Sequence, residues 1–188
     1  PPFQPSFSCR WRSPPRLAHL TASTTWLHLI ADVTDLSTYD PNLHLAPPLG
    51  TPDDRQALCE GVRTQVIDAI AVDHTPYTYE EKTVSFATAP VGAIGLELAL
   101  PSLWQQLVEP GGLSPLELWQ ALSTAPAQCL AQKPARCVVN APLEFVLFDP
   151  QDSWQVEPQA LRSRSRNSHL LGQTLQGRVK RTFSATSS

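Results

Sequence analysis

Asp73 and His74 directly follow a short apolar run, "VIDAIAV" (66–72). Such a run is typical of a parallel strand that is buried on both faces. His28 ends an earlier apolar segment in the same way. An imidazole and a carboxylate from separate strand ends can share a divalent metal, and a carboxylate beside a metal-bound hydroxide can also move its proton. This pattern predicts metal-assisted proton transfer where strands of a βα barrel end.

Each of these residues also has a structural interpretation. A lone histidine at a strand end is commonly packed or hydrogen-bonded, and an aspartate such as Asp73 commonly caps a turn or a helix. His74 need not touch a metal, because a packing role, or one that supports a metal ligand, fits its position as well. The spacing alone leaves both interpretations open.

The surrounding sequence alternates between strand and helix patterns. Residues 19–30 favour a strand, although periodicity alone does not distinguish it from a buried helix, and "LHLA" (43–46) favours a second strand. Residues 51–65 predict a helix, with Thr51 as the N-cap and Pro52 at its first position. Two further helices are predicted, at 96–108 and after the capping residue Ser114.

The chain divides into three regions by composition. Residues 1–16 hold five prolines and three arginines and predict an irregular arm; a targeting peptide is the alternative, but the segment lacks the apolar run of a secretory signal. Residues 17–132 carry strand–helix units, and residues 133–188 predict a small β-rich module and tail. We therefore expect an α/β protein.

Composition excludes several classes of function. The net charge of −3 and pI of about 5.9 predict no nucleic-acid partner. The apolar runs fall short of the roughly 20 residues of a membrane span, so no membrane association is expected. The four cysteines form no CxxC pair and are expected to be reduced, which favours a cytoplasmic location. The chain has no methionine and begins with Pro1, which predicts a fragment or a processed product.

Several longer motifs resemble one enzyme family. They are "YDPNLHLAPPLG" (39–50), "DHTPYTYEEK" (73–82), "APVGAIGLE" (89–97), "LSPLELWQALSTAPAQCL" (113–130) and "LGQTLQGRV" (171–179). In order and approximate spacing they resemble the carboxyl-terminal part of a dihydroorotase, over about residues 17–183. The segments "TASTTWLHL" and "DHTPYTYEEK" are most similar to the dihydroorotase-like branch found in cyanobacteria.

The resemblance implies a zinc-dependent cyclic amidohydrolase of pyrimidine biosynthesis that interconverts dihydroorotate and N-carbamoyl-L-aspartate. It implies the last three βα units of a (β/α)8 barrel, with a small β module from the family's composite domain. Asp73 is implied to ligate metal and to shuttle the proton, and His28 to ligate metal. The backbone of Val91 and Gly92 is implied to hold the pyrimidine, and Tyr77 occupies the substrate-carboxylate position.

The sequence also departs from the family pattern. Tyr77 stands where the family has a histidine, and Ala46 and Gly50 replace an asparagine and an arginine of its "NPPLR" segment. The family's first His-x-His metal pair has no match, so the binuclear zinc site is incomplete in this chain. The hypotheses are therefore a fragment of an active enzyme or an inactive scaffold subunit that forms a homo-oligomer or binds aspartate carbamoyltransferase.

Overall fold

A computed structural model describes residues 20–139 and 144–184 of the chain. The predicted arm at 1–16 lies outside these ranges. The strands are β1 (Ser23–Thr25), β2 (Ala69–Ala71), β3 (Phe145–Gln155) and β4 (Thr174–Phe183). The α-helices are α1 (Leu27–Ile30), α2 (Pro52–Arg63), α3 (Tyr79–Lys82), α4 (Ala99–Leu103), α5 (Pro115–Trp119) and α6 (Ala125–Cys129). Single π-helical segments follow α4 (Trp104–Val108) and α5 (Gln120–Thr124), and 3-10 turns occupy Val33–Thr38, Pro41–Leu43 and Phe86–Thr88.

A parallel pair of strands positions the candidate residues. In this pair Thr25 of β1 lies opposite Ala71 of β2. The Trp26 amide continues the pairing and donates to the Ala71 carbonyl at 3.0 Å. Because parallel strands end at the same edge, the chain after β1 and the chain after β2 emerge side by side. The predicted strand at 66–72 is confirmed over its last part.

Two strand predictions need correction. Of the described residues 20–30, only Ser23–Thr25 form a strand, and Leu27–Ile30 forms the helical turn α1, whose four residues are all buried. The predicted strand at 43–46 is wrong: a 3-10 turn, Pro41–Leu43, precedes irregular backbone there. The Asp40 carboxylate accepts from the Asn42 amide at 2.9 Å and so caps this turn. Residues 20–132 therefore contain two paired strands, β1 and β2.

The predicted helix α2 is confirmed together with its cap. Thr51 Oγ1 accepts from the Asp54 amide at 3.2 Å, and the Asp54 carboxylate accepts from the Thr51 amide at 2.8 Å. Pro52 is the first helical residue. Cys59, on the inner side, donates its thiol to the Leu29 carbonyl at 3.5 Å, and burial raises the pKa of this thiol. Cys59 is therefore a protonated packing residue.

Helices α4 and α5, with the π-helical segments that follow them, contribute further residues to the core. The Ser114–Glu117 capping pair predicted from the sequence is present at the start of α5. Leu98, Leu103 and Leu118 are fully buried and belong to one hydrophobic cluster with Trp26. Within the described ranges, no helix combines the length and apolar character that crossing a membrane requires.

The carboxyl-terminal region forms an antiparallel ribbon. β3 pairs with β4 from Phe145 opposite Phe183 to Gln155 opposite Thr174, with two irregularities in register. The Phe148 ring of β3 packs against Trp104 and Trp119, with ring centroids 5.2 and 6.5 Å apart, respectively. These aromatic contacts fix the ribbon to the helical layer. The carboxyl-terminal region therefore contains two long paired strands, β3 and β4.

Asp32 connects the segment after α1 to helix α2. Its buried carboxylate accepts from the Thr34 amide at 3.0 Å, from Thr34 Oγ1 at 2.6 Å and from Arg55 Nε at 3.1 Å. The bond from the Thr34 hydroxyl makes the largest contribution to lowering the pKa of Asp32 below its ordinary value of 3.8. The carboxylate is thus stabilised in its charged form by groups on two elements.

We predict that Asp32→Asn lowers the free energy of unfolding by about 1–3 kcal/mol at pH 7, because a hydrogen-bonded charge is lost. Since the folded-state pKa lies below the unfolded one, the stabilisation is complete above the ordinary value of 3.8 and is lost as the pH falls through the folded-state pKa. Urea unfolding of the wild type and Asp32→Asn at pH 7 and at pH 3 measures the difference in their free energies of unfolding at each pH, with the exposed Asp53→Asn as control. An equal difference between Asp32→Asn and wild type at the two pH values would contradict the assignment.

Candidate active site

Asp73 lies just beyond β2 with its side chain exposed. Among the described residues, only the Thr75 hydroxyl donates to its carboxylate, at 3.2 Å from Oδ1. The Thr75 amide in turn donates to the Ala93 carbonyl at 2.9 Å. The chain therefore holds Asp73 at the strand end by its backbone and leaves the carboxylate accessible to an incoming molecule.

Two loops lie against each other at this edge: the Asp73 loop (residues 73–77) and the Gly92 loop (residues 91–95). The Tyr77 hydroxyl donates to the Val91 carbonyl at 3.1 Å, near the far ends of both loops. Gly95 packs so closely on Asp73 that an added Cβ would overlap the Asp73 carbonyl oxygen and lie 2.7 Å from the indole nitrogen of Trp26. The acid and the predicted pyrimidine-binding segment are thus brought together.

His74 positions backbone in this structure. Its Nδ1 accepts from the amides of Gly95 and Leu96 at 3.1 and 3.3 Å, respectively. An acceptor nitrogen uses its lone pair, so the proton of the neutral ring is on Nε2. The structural interpretation of His74 agrees with these contacts.

The structure places His28 in the short helix α1, buried. Its Nδ1 lies 2.5 Å from Thr25 Oγ1, and its Nε2 lies 3.0 Å from the Pro47 carbonyl oxygen. A carbonyl oxygen only accepts, so Nε2 carries the ring proton and donates to Pro47. In the neutral ring, Nδ1 then accepts a hydrogen bond from the Thr25 hydroxyl. Both ring nitrogens are therefore used, and the predicted metal role of His28 would require one of these bonds to break.

Val91 and Gly92 have different backbone roles. Gly92 is buried at φ 112°, a left-handed conformation that favours glycine, and its amide donates to the His44 carbonyl at 2.8 Å. That amide is not available to a ligand in this arrangement. In the described part of the chain, no residue accepts from the Val91 amide, which leaves it as the available donor of the predicted pair.

Two buried residues that the sequence analysis missed support these loops. Asn167 accepts from the Tyr77 amide at 3.2 Å and donates to the Thr75 carbonyl at 2.8 Å. Lys82, 8% exposed, donates to the carbonyls of Pro41 and Pro90 at 3.0 and 2.7 Å. Asn167 lies in a polar segment with no periodic pattern, and Lys82 ends a charge cluster that is typical of a solvated helix end.

Lys82 also lies beside the Tyr77 ring, with Nζ 5.2 Å from the ring centroid. Burial lowers the pKa of Lys82, and the nearby Asp40 carboxylate opposes this shift. The two carbonyl acceptors and the aromatic face together replace the hydration of the ammonium group.

The fit of the predicted zinc ions can be judged from the donors at this edge. Asp73 offers an accessible carboxylate, whereas His28 and His74 use their lone pairs inside the protein. The described ranges contain no group of three or more His, Cys, Asp or Glu side chains arranged to hold a metal. A catalytic zinc normally needs three protein ligands, so the described residues do not form a zinc site on their own.

Comparison with solved structures defines the class of fold. The chain superimposes on L-hydantoinase (dihydropyrimidinase) from Arthrobacter aurescens with a TM-score of 0.81 at 22% identity, covering 89% of this chain and 38% of that protein. It also matches the inactive dihydroorotase-like domain of a CAD-like multifunctional protein from Chaetomium thermophilum, with a TM-score of 0.60 at 20% identity, over 89% of this chain and 42% of that one. These matches show the α/β amidohydrolase fold.

Sequence comparison then identifies the chain as a homologue of the dihydroorotases. It is 47% identical over 167 residues to a probable dihydroorotase-like protein of Synechocystis, covering 85% of this chain and 36% of the relative. It is 37% identical over 158 residues to the dihydroorotase of Anoxybacillus flavithermus, covering 84% and 37%, respectively. No family model matches. The chain spans little more than a third of the length of these relatives.

We predict that Gly95→Ala destabilises the protein by about 1–3 kcal/mol, because the new methyl group must displace the Asp73 carbonyl or the Trp26 indole. The control is Gly112→Ala, whose added Cβ would meet only the Leu107 carbonyl oxygen, at 3.1 Å. Urea unfolding of both variants measures the difference. Equal stabilities would show that the loop next to Asp73 is not closely packed.

We predict that Lys82→Met also destabilises the protein by about 1–3 kcal/mol, because the partly buried carbonyls of Pro41 and Pro90 lose a charged donor while the apolar stem is kept. The exposed Lys133→Met is the matched control and is expected to have little effect. Thermal unfolding of both variants provides the measurement. A neutral Lys82→Met would mean that these carbonyls find other donors.

Proposed function

We propose that this chain forms part of a dihydroorotase-type cyclic amidohydrolase that interconverts dihydroorotate and N-carbamoyl-L-aspartate. The supporting observation is the accessible Asp73 carboxylate, which lies at the end of β2 against the Gly92 loop in a chain homologous to dihydroorotases. The reaction adds water across a ring amide, so it needs a base for the water and an acid for the departing ring nitrogen.

Asp73 can serve both needs in turn. As a carboxylate it takes a proton from the attacking water, and the oxygen adds to the ring carbonyl carbon. The protonated Asp73 then returns the proton to the ring nitrogen as the C–N bond breaks. Dihydroorotate and water thereby give N-carbamoyl-L-aspartate with no change in the protonation of the enzyme. Because Thr75 is the one donor to this carboxylate among the described residues, lone pairs remain for the proton.

Substrate recognition follows from the Gly92 loop. In this proposal the Val91 amide, from which no described residue accepts, donates to a ring carbonyl, and the Tyr77 hydroxyl lies beside it, 3.1 Å from the Val91 carbonyl oxygen. In the observed arrangement this hydroxyl donates a hydrogen bond to the Val91 carbonyl. The Tyr77 side chain must therefore rotate before the hydroxyl can donate to a substrate carboxylate. A neutral phenol also supplies less attraction to a carboxylate than a protonated imidazole does. Weak substrate binding is therefore part of the proposal.

The architecture that we propose is the carboxyl-terminal part of a (β/α)8 barrel, with the β3–β4 ribbon as the small β module. A full barrel has eight parallel strands, and the described ranges contribute β1 and β2. Zinc binding would then depend on ligands beyond the described residues, with Asp73 as the contribution of the described residues. The free cysteines in the described part, Cys59, Cys129 and Cys137, are compatible with the cytoplasmic location that we propose.

A second candidate function is a catalytically inactive scaffold subunit. Two observations favour it: the Tyr77 hydroxyl donates to the Val91 carbonyl, and Ala46 and Gly50 have no polar side chain that could bind a substrate carboxylate. The fold similarity to an inactive dihydroorotase-like domain is compatible with this function. Under it, the protein would form a homo-oligomer or bind aspartate carbamoyltransferase.

Asp73→Asn distinguishes the two functions. In the full translation product of the gene, assayed with added zinc, we expect dihydroorotate hydrolysis in the wild type and a loss of about 100- to 10,000-fold in kcat in the variant, as removal of a general base causes. Asp53→Asn, on the exposed first turn of α2, is the matched control and keeps wild-type activity. Absence of turnover in a folded wild-type protein would reject the enzyme in favour of the scaffold.

A further inference from the structure

Asn167 is buried, with 5% of its surface exposed, and it contacts both loops of the candidate site. Its Oδ1 accepts from the Tyr77 amide at 3.2 Å. Its Nδ2 donates to the Thr75 carbonyl at 2.8 Å and to the Gly92 carbonyl at 3.4 Å. One side chain therefore binds the Asp73 loop through two groups and the Gly92 loop through a third.

The chemistry of these contacts is specific to an amide side chain. Tyr77 presents a donor, whereas Thr75 and Gly92 present acceptors. An aspartate in place of Asn167 could accept from Tyr77, but it could not donate to either carbonyl, and a leucine of similar shape could do neither. The partners also fix the orientation of the amide, because a flipped side chain would point its oxygen at two carbonyl oxygens.

Neighbouring contacts hold the backbone of this segment against the same loops. The Ile94 amide donates to the Asn167 carbonyl at 3.1 Å, and the Ser165 hydroxyl donates to the Tyr77 carbonyl. Glu97 accepts from the amides of Arg162 and Ser163, each at 2.8 Å. The segment 162–167 thus packs beside the Asp73 and Gly92 loops, and within it the Asn167 side chain hydrogen-bonds to both loops.

We propose that Asn167 is a positioning residue for the cyclic amide reaction: it sets the separation between the Asp73 carboxylate and the Val91 amide of the Gly92 loop. This inference rests on the proposed function and adds to it a residue from outside the parallel sheet. Asn167 does not touch the substrate in this assignment. It acts by holding the backbone of Tyr77, Thr75 and Gly92 in the two loops that carry the Asp73 carboxylate, the Tyr77 hydroxyl and the Val91 amide.

The test uses Asn167→Leu and Asn167→Asp in the full translation product, with Ser168→Ala as the matched control. Ser168 is also buried, and within the described ranges its hydroxyl has one hydrogen bond, accepted from the Leu170 amide at 3.2 Å, and none to either loop. Two quantities are measured: KM and kcat for dihydroorotate, and the rate of hydrogen exchange at the Tyr77 amide in the ligand-free protein. The exchange rate reports loop positioning without any need for turnover.

We expect Asn167→Leu to raise KM about tenfold or more, which corresponds to the free energy of roughly one hydrogen bond. We also expect it to accelerate hydrogen exchange at the Tyr77 amide, because that amide loses its acceptor. Asn167→Asp, which keeps the acceptor for Tyr77, should raise KM with a smaller change in that exchange rate. Ser168→Ala should leave both quantities at wild-type values, even if it lowers the melting temperature. A loss of folded protein alone would reduce kcat in proportion and leave KM unchanged.

The inference is overturned if both Asn167 variants keep wild-type KM and Tyr77 exchange, or if Ser168→Ala changes both quantities to the same extent. If Asn167→Leu does not fold, Asn167→Asp supplies the same comparison. If the wild type shows no turnover, the proposed function fails, and the exchange data then decide separately whether Asn167 positions the two loops.

Discussion

The parallel pairing of β1 and β2 is the constraint on which the rest of the site depends. Because both strands end at the same edge, Trp26 and Asp73 emerge as neighbours, and the Trp26 amide extends the pairing by one hydrogen bond to Ala71. The indole of Trp26 is fully buried and packs against Gly95. Because Gly95 has no side chain, the Gly92 loop can pack directly on the Asp73 backbone. The acid is thereby held by backbone contacts, and its carboxylate is left for chemistry.

Features fixed by neighbouring residues could be predicted from the sequence. Helix α2 begins at Pro52 because Thr51 and Asp54 cap each other across three residues. The apolar run before Asp73 likewise indicated a buried strand. The strand expected at 43–46 failed because Asp40 and Pro41 impose a 3-10 turn, which the alternating apolar pattern of "LHLA" concealed.

The site itself was predicted less completely, because several of its contacts join distant positions. Asp73, Tyr77 and Val91 were found through a motif resemblance, and the structure places them on adjoining loops. The resemblance also implied His28 as a metal ligand, and the structure places its ring nitrogens against the Thr25 hydroxyl and the Pro47 carbonyl. No local pattern could have indicated those partners.

The bond between Asn167 and Tyr77 joins residues 90 positions apart, and it has a consequence for the order in which the protein is made. Long-range closure is entropically costly and tends to occur late in folding. A growing chain can pair β1 with β2 and complete α2 long before residue 167 is synthesised. At that stage the Asp73 and Gly92 loops would lack their hydrogen bonds to Asn167. Synthesis of the carboxyl-terminal segment would therefore complete the site. A chain that ends before residue 167 would keep Asp73 but lose the contacts that align it with the Gly92 loop.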